Sequence, residues 1–124
     1  MQVTITFLHH AHPSVPHFSP DTWTFTRGSL CTIDRNFGFI GRHFFHEIID
    51  FHVVHHLFPR IPFYYAEEAT EAIRPLLEDQ YRETKRENFL KSFFTTFYSC
   101  WYVSEDSPVG QKEPGVYWWV RGNK

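Results

Sequence analysis

The sequence has no excess of positive charge, and this absence limits its partners. Its 124 residues include 12 Lys and Arg against 14 Asp and Glu, so the formal net charge is −2 at pH 7. Proteins that bind nucleic acids through phosphate contacts need clustered cations. We therefore expect no nucleic acid among the partners of this chain.

Cysteines and long apolar runs are also scarce. Cys31 and Cys100 are the only cysteines, and neither belongs to a CxxC pair, which argues against a disulfide-rich scaffold and a thiolate zinc site. No segment approaches the roughly 20 apolar residues that a membrane-spanning helix needs, and the first residues do not resemble a signal peptide. We expect a chain that does not cross a membrane by itself, although it is free to lie on one.

The apolar pattern predicts a mainly α fold. We expect one continuous helix from about Gly41 to Leu57, ended by prolines, and a second helix over Ala66 to Arg74. An apolar stripe at steps of three and four runs from Leu90 to Trp101; it is either packed in the core or turned toward a partner or a membrane. Val116 to Val120 is prone to form a strand and is a candidate to pair with Trp101 to Val103 as a small C-terminal β-hairpin.

Histidine is unusually frequent, with nine residues, and the segment 43–56 (HFFHEIIDFHVVHH) is the densest cluster. On a helix, His52, His55 and His56 stand at i, i+3 and i+4 and share one face. Three imidazoles on one face favour a site for iron, zinc, copper or nickel, with a coincidental cluster as the alternative. The same helical spacing places His46 and Asp50 on the opposite face.

Two further histidine patterns bear on the chemistry. The sequence HEIID at residues 46–50 is not a zincin motif, because Asp50 stands where that motif needs its second histidine. A second group, His9, His10 and His12, lies in what we expect to be an extended loop that continues past His17. Such loop histidines either reach a metal held elsewhere or are simply solvated.

The residues at 52–56 (HVVHH) resemble the third histidine box of the membrane-bound acyl-lipid fatty acid desaturases. Residues 6–17 (TFLHHAHPSVPH), 23–42 (WTFTRGSLCTIDRNFGFIGR) and 58–74 (FPRIPFYYAEEATEAIR) are similar to the C-terminal third of the oleate branch, of delta-12 or omega-6 type, with wording closest to fungal members. The box alone is weakly specific. In order with the other motifs it is a strong signal.

This resemblance implies a function. Members of the family are endoplasmic reticulum membrane proteins whose three histidine boxes hold a di-iron centre on the cytosolic face. With oxygen and electrons from cytochrome b5, they introduce a cis double bond into an acyl-lipid chain, which belongs to unsaturated fatty acid biosynthesis. Removal of hydrogen from an unactivated methylene needs an oxidant that no side chain supplies.

The resemblance also assigns residues. It implies that His52, His55 and His56 bind iron, and that His10 in the matching LHHxHP stretch is a further ligand. His9 and His12 are weaker candidates, while His46 and Asp50 are expected beside the metal or in structural roles. The match to the family's TIDR stretch implies that Asp34 and Arg35 act at the start of a helix and in ion pairs.

The chain departs from the family in what it contains. It carries neither the first two histidine boxes nor the membrane spans, and Ala11, Asn36 and Tyr65 stand where Thr, Asp and His are usual. We therefore expect residues 1–124 to form one partial desaturase domain, a cytosolic cap without its membrane base, that is inactive alone. The alternatives are a small histidine-rich metal-binding protein and a membrane-surface interaction protein without catalysis.

Overall fold

A computed structural model of the chain describes residues 2–84, 88–105 and 113–122, and about half of the chain is helical. Two three-ten turns, Phe63–Tyr65 and Glu78–Gln80, flank the longest helix. The α-helices, in chain order, are α1 (Gln2–His10), α2 (Phe25–Ser29), α3 (Gly38–Phe44), α4 (His52–Leu57), α5 (Ala66–Leu77) and α6 (Phe89–Ser99).

Short strands tie distant parts of the chain together. They are β1 (His17–Phe18), β2 (Asp34–Arg35), β3 (Glu83–Thr84), β4 (Tyr102–Ser104) and β5 (Val116–Val120). β5 lies between β1 and β4 and is antiparallel to both, whereas β2 and β3 pair in parallel. The prediction of a mainly helical chain with a C-terminal hairpin is confirmed in part: about half of the chain is helical, and β4 pairs with β5 as an antiparallel hairpin. In the described ranges, every helix falls short of the length and apolar character needed to span a bilayer.

The continuous helix expected over 41–57 is wrong. α3 ends at Phe44, and α4 begins only at His52, after a run of turns. Between the two helices, His46 and Glu47 have positive φ angles of 48° and 61°. A right-handed helix cannot continue through residues in the left-handed region, so the chain turns here and restarts in a new direction.

The first histidine group also differs from expectation. His9 and His10 are not in a loop but are the last two residues of α1, and the extended segment begins after them. The backbone N–H of Ala11 still donates to the Phe7 carbonyl at 2.8 Å, which completes the final turn. The rings of His9 and His10 are therefore held by a helix rather than by mobile chain.

The core is built from small aliphatic side chains. Although aromatic residues make up 19% of the sequence, all of those in the described ranges remain at least partly exposed. The apolar side chains that are less than 2% exposed are Leu8, Val15, Ile33, Ile49, Val53 and Val54. This core lies between α1, β2 and α4, so it supports the helices that carry His9, His10 and the 52–56 segment.

Helix α6 buries its small polar side and exposes its aromatic side, whereas a helix of a globular protein usually buries its apolar side. Ser92 and Thr96 are each 1% exposed, whereas Phe94 and Phe97 are 53% and 58% exposed. The interpretation that the Leu90–Trp101 stripe packs in the core is therefore wrong. The small polar side of α6 packs inward, and its aromatic side is left as an exposed apolar surface of the kind that marks an interaction face.

Candidate metal centre

Three histidines from two helices converge on one point. His10 comes from the end of α1, and His52 and His56 lie one turn apart on α4. Their ligand nitrogens all lie within 4.8 Å of one another, and the Nε2 atoms of His52 and His56 are 3.2 Å apart. Since a metal–imidazole bond is about 2.1 Å, two nitrogens that bind one ion lie at most about 4.2 Å apart. The His52–His56 pair already meets this limit, and His10 needs at most a small side-chain shift to share the same ion.

Backbone carbonyls fix the orientation of the rings. The Nδ1–H of His10 donates to the carbonyl of Cys31 at 3.0 Å, and that of His52 donates to the carbonyl of Ile48 at 3.1 Å. A carbonyl only accepts, so the proton of each neutral ring must be on Nδ1 and the Nε2 lone pair is left for a ligand. This is the arrangement that orients metal-binding histidines in general.

Burial keeps the imidazoles of His52 and His56 neutral. It lowers the pKa of His52 to about 2, with His9 and His56 adding to the effect, and it lowers the pKa of His56 to about 4, with His10 as the next cause. Metal ions bind the neutral ring, so near pH 7 no proton competes for these nitrogens. The donor set therefore fits a transition metal such as iron.

His9 lies directly against this cluster. Its side chain is 0% exposed, and its ring stacks on that of His52 with centroids 4.3 Å apart. Its Nδ1–H donates to the carbonyl of Ile33 at 2.8 Å, and burial lowers its pKa to about 4. Its buried Nε2 has no hydrogen-bond partner in the described part of the chain, an arrangement that is costly unless something binds there.

His55, the remaining residue of the box, is not part of this convergent group. Its side chain is exposed, and its ring centroid lies 5.9 Å from that of His52 and 6.1 Å from that of His56. It lies in the wall of an apolar cavity of about 460 Å³. The main apolar residues of that wall are Phe44, Phe45, Ile48, Phe51, Val54, Ile61 and Phe63.

The lower-ranked candidates lie away from the convergent nitrogens. The Nδ1 of His12 is 2.7 Å from the Ser14 hydroxyl. His46 is exposed beside Phe63, with ring centroids 5.4 Å apart. Asp50 is buried at a separate polar cavity of about 440 Å³, where burial raises its pKa and Arg42 opposes that rise.

Comparisons with known proteins match most of the chain. A sequence model of the fatty acid desaturase family matches residues 29–87. An oleate hydroxylase of Claviceps purpurea is 44% identical over 125 residues, which cover 98% of this chain and 26% of the relative. A delta(12)-oleate desaturase of Trichosanthes kirilowii is 44% identical over 117 residues, which cover 94% of this chain and 31% of the relative.

This chain belongs to the fatty acid desaturase family. The resemblance to the oleate-type branch is thereby confirmed. A fatty acid conjugase of Calendula officinalis, 47% identical over 91% of this chain and 28% of its own length, matches as well. The chain spans about a quarter to a third of the length of these curated relatives. No solved structure matches it.

Sequence reasoning about this desaturase region missed two residues beside the cluster. His17 on β1 contacts Trp119 on β5, with ring centroids 5.1 Å apart, and the Nε1–H of Trp119 donates to the carbonyl of His10 at 3.4 Å. Burial lowers the pKa of His17, and His10 adds to that effect. Only the pairing of His17 with Tyr117 brings these residues to the site, and no local pattern in the sequence predicts a contact across 100 positions.

Proposed function

We propose that this chain supplies part of the di-iron site of an oxygen-dependent desaturase that introduces a cis double bond into an acyl-lipid chain, of the oleate-to-linoleate type. The convergence of the His10, His52 and His56 nitrogens within 4.8 Å carries the proposal. Imidazole nitrogens suit iron, and the rings of His10 and His52 are anchored through Nδ1. His55, whose exposed ring lies in the wall of the neighbouring apolar cavity, is a further proposed ligand, and His9 and His12 are secondary candidates.

The chemistry that bound iron supplies is oxidation by oxygen, strong enough to remove hydrogen from an unactivated methylene. The protein residues have simpler tasks. The carbonyls of Cys31 and Ile48 hold the rings of His10 and His52 in place, while burial keeps the imidazoles of His52 and His56 unprotonated. The apolar cavity beside His55 has the lining that an acyl chain needs.

The remaining ligands must come from histidine boxes that this chain does not contain. Three or four histidines do not complete a pair of irons, so we propose that the chain is inactive alone. In the intact enzyme it would act as a cap on the cytosolic face of the endoplasmic reticulum membrane. The exposed aromatic side of α6 supports membrane association, and cytochrome b5 is the proposed electron donor.

The experiment is co-expression of the chain with the remainder of a relative, such as the Trichosanthes kirilowii desaturase. We expect iron to be retained and a new double bond to appear in the lipid acyl chains, measured by mass spectrometry of their methyl esters. His56→Ala should abolish both results. A complex that assembles but retains no iron would contradict the proposal.

Hydroxylation is the second candidate outcome. It is favoured by one observation, the 44% identity to a relative named oleate hydroxylase over 98% of this chain. The same product analysis separates the two, because a hydroxylated acyl chain gains one oxygen atom whereas a desaturated chain loses two hydrogen atoms.

A further inference from the structure

The helix that carries the convergent histidines does not supply its own N-terminal cap. The residue before α4 is Phe51, which makes no side-chain capping hydrogen bond. The first N–H groups of a helix have no partner within the helix and need an acceptor from elsewhere. In this protein, the acceptor comes from Asp34 on β2, 19 residues away.

Asp34 is buried and is bonded through both oxygens. Its Oδ1 accepts from the Val53 N–H at 2.7 Å, and the His52 backbone also favours the charged carboxylate, which opposes the rise of its pKa on burial. Its Oδ2 accepts from the Tyr81 hydroxyl at 2.6 Å. With 3% of its surface exposed, the carboxyl group connects the start of α4 to the segment that follows α5.

Tyr81 is itself fixed. The Arg74 guanidinium lies over its ring, 4.8 Å from the centroid, and Arg74 forms an ion pair with Glu83. Glu83 lies opposite Asp34 in the β2–β3 pair. The carboxyl group of Asp34 is thus held on one side by backbone pairing and on the other by a tyrosine that cannot move freely.

We propose that Asp34 and Tyr81 are positioning residues that set the location of His52 in the metal centre. His52 is the first residue of α4, so a displaced helix start moves its ring away from His9 and separates its Nε2 from that of His56. The proposal rests on the proposed metal-binding function, and it assigns a role to two residues that touch no metal. Groups that orient metal ligands in this way typically change metal affinity about 10- to 100-fold when they are removed.

The test is a Co²⁺ titration of the full chain, because visible absorption bands of Co²⁺ report the geometry of its ligands. We expect Asp34→Ala to weaken Co²⁺ binding about 10- to 100-fold and to alter the bands. Tyr81→Phe should have a smaller effect in the same direction. Asp34→Asn should bind nearly as well as the original chain, since its amide oxygen still accepts from Val53 and its NH₂ donates to the Tyr81 hydroxyl.

Two controls separate positioning from general stability. Asp79→Ala removes an exposed carboxyl group from the neighbouring turn, and Val15→Ala weakens the core at a residue that belongs to neither α4 nor the Asp34–Tyr81 contact. Both should keep the original absorption bands, even where Val15→Ala lowers the unfolding midpoint. If Asp34→Ala shows the same affinity and bands as these controls, or if Asp34→Asn is as weak as Asp34→Ala, the positioning role is overturned.

A measurement without metal keeps this inference separate from the proposed function. Long-range ¹H–¹⁵N NMR of the histidine rings should show the His52 and His56 signals displaced in Asp34→Ala, with those of His12 and His43 unchanged. If the original chain binds no Co²⁺ by itself, these ring signals still test the inference, whereas the proposed function is tested separately by iron retention in the co-expressed complex. Unchanged His52 and His56 signals in Asp34→Ala would overturn it.

Discussion

The Nε2 atoms of His52 and His56 face each other at 3.2 Å across one turn of α4. Because the proton of His52 is on Nδ1, where it bonds to the Ile48 carbonyl, its Nε2 can only accept. The pair is therefore stabilised either by a proton on the Nε2 of His56 or by a cation that both nitrogens bind. A ring nitrogen of His10 lies close to this pair. Three nitrogens around one point favour a shared cation over a single proton.

His56→Ala is expected to weaken metal binding by at least about tenfold, as removal of a ligand exceeds the effect of removing a supporting group. The matched control is His43→Ala, which removes an exposed histidine whose Nδ1–H donates to the Phe39 carbonyl within α3. Isothermal calorimetry with Co²⁺ measures both variants. Equal losses in the two would show that binding is non-specific.

Acid should destabilise the metal-free protein. The folded pKa of His9 is about 4, below the unfolded value of about 6.5, so the unfolded chain takes up a proton first as pH falls. Stability is lost below about pH 6.5, and His9 alone contributes about 2 kcal/mol of loss at pH 5. Urea unfolding in the presence of a chelator, at pH 7.5 and pH 5, measures the change.

Asp34 is expected to change the stability with pH in the direction opposite to that of His9. Burial raises its pKa to about 7, so the folded state binds its proton more tightly than the unfolded chain does, and this group gains stability as pH falls through 7. Removing that contribution in Asp34→Asn should make the loss of stability between pH 7.5 and pH 5 steeper than in the original chain. A shallower loss in this variant would contradict the assignment.

The exposed aromatic side of α6 is expected to bind membranes. Phe94→Ser with Phe97→Ser should change the unfolding free energy by less than about 0.5 kcal/mol, because both rings are more than half exposed. The same pair should reduce flotation with lipid vesicles. Thr95→Ala, an exposed change on the same helix, is the control and should float as before.

Gly115 is expected to tolerate a side chain poorly. Its φ is +79°, and an added Cβ would lie 2.7 Å from both the Ser19 Oγ and the Thr22 Cγ2. Gly115→Ala should cost about 2 kcal/mol or more of unfolding free energy. Gly38 has a similar φ of +64° but nothing within 4 Å, so Gly38→Ala should cost only about 1 kcal/mol. Equal costs would show that the contact is unimportant.

The parts of this structure that the sequence could predict are local. The i, i+4 spacing of His52 and His56 brings their rings together on any helix, and the β-prone Val116–Val120 segment finds its partner as expected. The break before α4 was not predictable in the same way. His46 and Glu47 are neither glycine nor proline, and only tertiary packing imposes their left-handed backbone.

The local sequence pattern also could not predict which side of α6 packs against the core. The periodicity of α6 correctly indicates an apolar face, but a period states only that two faces differ. It does not decide which face packs inward, and the protein buries Ser92 and Thr96. The contact of His17 with Trp119 depends on strand pairing between residues 17 and 117, which no short-range signal encodes.

The acceptors that orient His9, His10 and His52 are the carbonyl oxygens of Ile33, Cys31 and Ile48. A carbonyl oxygen belongs to the main chain, so replacing any of those three side chains leaves the acceptor in place. The orientation of the imidazole rings therefore does not depend on the identity of these three side chains. Substitutions at positions 31, 33 and 48 should affect the packing around the site more than the orientation of the histidine rings.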